Sequence, residues 1–149
     1  MPPRLSQRLQ DIVDSLPLRP GLRVIEVGCG PGAMAREMAR KVFPNGAVLG
    51  IDRSAKAIRQ AEAGMSAEEV PGLSFQQTEI ENFVLKPGEE LFDLAVAVRV
   101  GTLDGRHPEA ADQALAAIAA ALRPNGRLFI DGREVAIGLT SPAADGSPD

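Results

Sequence analysis

The chain has 149 residues, 44 % of them apolar, with 16 basic against 20 acidic side chains and a formal charge of −4. That length predicts one domain, and that composition excludes disorder of the whole chain. The small acidic excess argues against a dedicated nucleic-acid surface, whose affinity comes chiefly from cations on phosphate.

Cys29 is the only cysteine and His107 the only histidine, so neither a disulfide nor a cysteine or multi-histidine metal site is expected. No run approaches the ~18 apolar residues of a membrane span. The charged start is not followed by an apolar stretch, unlike a secretory leader. A soluble, cytoplasmic protein is the expectation.

Leu5, Leu9, Ile12, Val13 and Leu16 line one face of a helix predicted over 4–16, stopped by Pro17 and Pro20. Residues 22–27 read as a strand that runs straight into Gly28-Cys29-Gly30-Pro31-Gly32. A helix follows over 31–42, since proline is tolerated in a first turn. Pro44-Asn45-Gly46 is a turn, and 47–52 is a second strand. Ser54 is a good cap for a helix over 55–64.

A third strand is predicted at 73–77, then a weak helix or loop at 79–85. Residues 92–98 are almost continuously apolar, as in a strand covered on both faces. A loop at 99–108 leads to an alanine-rich helix at 109–122. Pro124-Asn125-Gly126 turns into a fifth strand at 127–130. Asp131-Gly132 is a two-residue hairpin signal, so residues within 134–139 are expected to fold back antiparallel on that strand. Residues 141–149 are expected to be a disordered tail, leaving 1–140 as a single domain. Strands alternating with helices predict an α/β three-layer sandwich around an open, mainly parallel sheet of five to six strands.

The glycine run stands where a strand meets a helix, the place where open α/β sheets bind ligands. It also satisfies the dinucleotide pattern G-x-G-x-x-G/A, so it points only to a nucleotide-like ligand. Glu26 separates the candidates. A carboxylate beside a pyrophosphate is repulsive, whereas a ligand with an ammonium and a sulfonium, such as S-adenosylmethionine, suits it. Asp52, at the end of the second strand, is placed to accept ribose hydroxyls from either kind of cofactor. Cys29 has no adjacent base and is read as a packing residue inside the turn.

Val24-Ile25-Glu26-Val27-Gly28-Cys29-Gly30-Pro31-Gly32 resembles the first motif of class I S-adenosylmethionine-dependent methyltransferases. The likeness continues through Gly50-Ile51-Asp52-Arg53-Ser54, Gln77-Thr78-Glu79-Ile80-Glu81, Phe92-Asp93-Leu94 and Leu122-Arg123-Pro124-Asn125-Gly126-Arg127-Leu128, over about residues 5–131. The resemblance implies a Rossmann-like core with strand order 3-2-1-4-5 and S-adenosylmethionine as cofactor, with S-adenosylhomocysteine as product. It assigns Glu26, Gly28, Cys29, Gly30 and Gly32 to the methionine part and Asp52 to the ribose. Arg53 would flank the adenine, Glu79 would accept from its amino group, and the Ile80 N–H would donate to the ring. Glu79 stands where the family usually has Asp. The carbonyls of Val98 and Arg99 would approach the methionine amine.

Residues 132–149 are too few for all of the family's later elements, so truncated C-terminal strands are expected. Methyl transfer needs alignment more than a fixed catalytic group, so no catalytic residue is assigned. The acceptor is expected to be a small molecule. Val98-Arg99-Val100-Gly101 stands where enzymes acting on amide or base nitrogen carry Asn/Asp-Pro-Pro-aromatic, which disfavours that chemistry. Asp104, Arg106 and His107 are candidates on the acceptor side, with a loop-shaping role as the alternative. Two other functions compete: a non-catalytic S-adenosylmethionine-binding module or subunit, and an NAD(P)-dependent oxidoreductase. The apolar strand edge predicts a homodimer through residues 128–139, the alternative being a monomer whose own hairpin covers that edge.

Overall fold

A computed structural model of the chain describes residues 5–68, 70–103 and 108–137. Helix α1 (Gln7–Ser15) starts at Ser6, whose hydroxyl accepts from the Leu9 N–H at 3.2 Å. Strand β1 (Arg23–Val27) leads to α2 (Ala33–Val42), β2 (Ala47–Asp52), α3 (Ala55–Glu68) and β3 (Leu73–Gln77). One 3-10 turn at Ile80–Asn82 precedes β4 (Phe92–Ala97), and another at Gly101–Leu103 follows it. Helix α4 (Pro108–Ala121), β5 (Leu122–Ile130) and β6 (Arg133–Val135) complete the order.

The sheet runs β3-β2-β1-β4-β5-β6, parallel up to β5 and antiparallel at β6. Alternation along the central strands divides the interior into two layers. Val24, Val48, Leu94, Val96 and Phe129 face α1 and α2. Ile25, Val27, Ile51, Ala95, Ala97 and Leu128 face α4. Ala114, Ile118 and Ala121 of α4 share this layer with the small Ala95 and Ala97 of β4. Each large aliphatic so enclosed contributes about 1.5–3 kcal/mol.

The expected hairpin is present. Ile130 stands opposite Arg133, and the two residues between them, Asp131 and Gly132, have φ of 51° and 87°. That left-handed pair matches the twist of the flanking strands and is open to Asp-Gly. The ladder stops at Val135, short of the expected 134–139, and Ile137 packs into the α4 layer instead. The turn at Pro124-Asn125-Gly126 lies within β5: Leu122 pairs with Phe92 but Arg127 already with Leu94, so the extra residues bulge outward. The expected tail at 141–149 lies outside the described residues.

Candidate functional site

The chain leaves β1 through a sharp loop tied to β2. The Gly28 and Cys29 N–H groups both donate to the Ile51 carbonyl, at 2.8 and 2.9 Å. Gly32 opens α2 with φ of 90°, and a Cβ there would lie 2.7 Å from the Phe75 ring. Only glycine meets both the conformation and the space. Arg36, one turn into α2 and 2 % exposed, donates to the Pro31 carbonyl at 3.2 Å and so pins the loop to its own helix.

Asp52 completes the loop. One carboxylate oxygen accepts the Gly30 N–H and the other the Ser54 N–H, both at 2.9 Å. Ser54 in turn caps α3 by accepting the Ala57 N–H at 3.1 Å. Ser54 caps the helix as its sequence position predicts, and Asp52 adds a second contact there. The structure uses both, because the two carboxylate oxygens reach two different loops.

A cavity of about 520 Å³ opens at the carboxyl ends of the parallel strands. Gly28, Asp52, Arg53, Glu79, Ile80 and Arg99 line it, as do Thr78, Glu81, Val100, Gly101 and Ala110, which the sequence reading did not single out. Thr78 and Glu81 flank motif residues and were within reach of it. Ala110 carried no signal, since only the packing of α4 brings it there.

Glu26, Cys29, Gly30, Gly32 and Val98 do not line this cavity. Val98 packs partly buried on the α1/α2 layer, and Cys29 is enclosed, with burial pushing its thiol pKa up. Glu26 is 4 % exposed, and its Oε1 has no hydrogen-bond partner. Burial, reinforced by the charge of Asp52, holds its carboxyl pKa well above the ordinary carboxylate range. An enclosed carboxylate oxygen without a donor is costly and calls for a cation or a proton. Asp104, Arg106 and His107 lie outside the described residues. No cluster of potential metal ligands occurs among the described residues, nor is any helix there long and apolar enough to cross a membrane.

Residues 18–136 match the family described as a methyltransferase domain. Nocamycin O-methyltransferase of Saccharothrix syringae is 31 % identical over 128 residues, 86 % of this chain and 42 % of that protein. Trans-aconitate 2-methyltransferase of Deinococcus radiodurans is 38 % identical over 72 residues, 48 % of this chain and 26 % of that one. The fold is that of the SAM-dependent methyltransferase of Thiobacillus denitrificans, solved in complex with S-adenosyl-L-homocysteine. The TM-score is 0.66 at 24 % identity, covering 85 % of this chain and 48 % of that one. The chain thus spans less than half the length of these relatives.

Proposed function

The chain belongs to the methyltransferase domain family, and on that premise we propose that it transfers the methyl group of S-adenosylmethionine to a small-molecule acceptor. The observation that carries this reading is the enclosed, unpartnered oxygen of Glu26 beside the glycine loop. The residues present fit this cofactor better than a dinucleotide. Three carboxylates, Asp52, Glu79 and Glu81, line the cavity against two cations, Arg53 and Arg99. That balance suits a cationic ligand and opposes a pyrophosphate.

In this reading Glu26 and the backbone of Gly28, Cys29, Gly30 and Gly32 hold the methionine part, together with the carbonyls of Val98 and Arg99. Asp52 accepts from the ribose. Arg53 flanks the adenine, Glu79 accepts from its amino group, and the Ile80 N–H donates to the ring. The cofactor supplies a methyl carbon already activated by its sulfonium. The protein's part is to orient the two reactants and exclude water. The likeness to a nocamycin O-methyltransferase and a trans-aconitate 2-methyltransferase supports a small-molecule acceptor. We infer a cytoplasmic location, with residues 1–140 acting as one domain.

Calorimetric titration tests the cofactor. Heat is expected from S-adenosylmethionine and S-adenosylhomocysteine and none from NAD or NADP; the reverse pattern overturns the reading.

For assembly we infer a twofold homodimer through the 128–139 region, of which 138–139 lie outside the described residues. Val135 and Ile137 stay partly buried at the sheet's outer edge, beside a strand only three residues long. Light scattering should give twice the monomer mass at micromolar concentration, and Ile137→Lys should return it to one. A monomeric parent shows that the hairpin covers the edge unaided. The Arg127–Glu134 pair at 2.8 Å is then the charge that blunts it.

A further inference from the structure

The segment 98–100, between β4 and the following 3-10 turn, bends abruptly, and its Arg99 and Val100 line the cavity. Arg99 has φ of 57°, a left-handed backbone unusual for a side chain of its size. The bend has a local consequence. Val98, before it, packs on the α1/α2 layer, while Arg99 and Val100 line the cavity. Val100 also fills the room above Gly28: a Cβ at Gly28 would be 2.8 Å from its Cγ2. A conformation of this kind persists only where the surroundings enforce it.

One residue, 32 positions along the chain, holds both ends of the bend. Asp131 donates its N–H to the Ala97 carbonyl at 2.8 Å, and its Oδ1 accepts the Arg99 N–H at 2.8 Å. It therefore grips the bend on both sides. The hairpin does not need a carboxylate at this position, since Asn or Gly serves the turn equally well. What the carboxylate adds is an acceptor for the Arg99 N–H.

We propose that Asp131 is a positioning residue of the cofactor site, clasping the segment 97–100 so that Arg99 and Val100 form the cavity wall against Gly28. It touches no reacting group itself. The proposal rests on the S-adenosylmethionine reading, but the clasp can be measured without it.

Two variants separate the side-chain acceptor from the turn. Asp131→Gly keeps the left-handed turn and the Ala97 contact but removes the acceptor. Asp131→Asn keeps both the turn and a carbonyl acceptor. Amide hydrogen exchange at Arg99, with no ligand present, should quicken about tenfold or more in Asp131→Gly and stay near the parent in Asp131→Asn. Titration with S-adenosylhomocysteine should show affinity falling about three- to tenfold in Asp131→Gly and less than about twofold in Asp131→Asn, at similar thermal midpoints. Unchanged exchange and affinity in Asp131→Gly overturn the proposal, as does an Asp131→Asn as weak as Asp131→Gly. A parent that takes up no S-adenosylhomocysteine overturns the cofactor reading instead, and the exchange rates then judge the clasp alone.

Discussion

Glu26→Gln is expected to bind S-adenosylhomocysteine about ten- to a hundredfold more weakly than the parent while unfolding at a higher temperature. The two effects share one cause. In the free protein the Glu26 carboxylate is enclosed, has an oxygen without a donor and lies near Asp52. An amide of the same shape removes the buried charge, a gain of about 1–3 kcal/mol, or about 3–10 °C in thermal midpoint. The charge lost is the one that would pair with the ligand's ammonium, a contact worth roughly 1.5–3 kcal/mol.

The sign of the pH dependence follows. Glu26 has a folded pKa raised above its unfolded value, so between the two the folded state holds a proton that the unfolded chain has released. The parent therefore loses stability as pH rises through that window and levels off above the folded pKa. Glu26→Gln lacks this slope, so the gap between their midpoints should widen as pH rises above the ordinary carboxylate range toward the raised folded pKa. Ligand binding runs the other way. The ammonium favours the carboxylate, so binding releases a proton and the parent's affinity rises with pH across the same window. Calorimetry in buffers of different ionisation enthalpy measures that proton directly. Release as large in Glu26→Gln as in the parent would place its source elsewhere.

Asp52→Ala should lose on both counts, about 1–2 kcal/mol of stability and about ten- to a hundredfold in cofactor affinity. Its carboxylate lines the cavity, where the ribose contact is proposed, and also receives the Gly30 and Ser54 N–H groups. Truncation leaves both donors without their acceptor and loosens the glycine loop as well as the ligand contact. A purely ligand-facing carboxylate would change affinity alone, so thermal melts beside the titrations distinguish the two. Asp52→Asn has a further effect. Removing the Asp52 charge lowers the Glu26 pKa, so the window of proton release should move to lower pH. An unmoved window would mean the two carboxylates do not sense each other.

Much of the protein was legible in its residues because the determinants are local. The apolar periodicity of α1, the near-continuous apolar run of β4 and the alanine face of α4 fix both element type and buried face. Asp131-Gly132 fixes the antiparallel return by backbone conformation alone. The glycine loop and Asp52 could be placed because each sits at a strand end, where chain direction sets the location. Other features depend on residues far apart in sequence. Nothing local says that Glu26 is almost fully enclosed, because its burial comes from the strands and helices packed around β1. Nor does the sequence show that Ala110 reaches the cavity, or that a hairpin turn grips the bend at Arg99 from 32 residues away. Composition and periodicity decide which face of an element is buried. Only the assembled sheet decides which strand ends and turns meet above it.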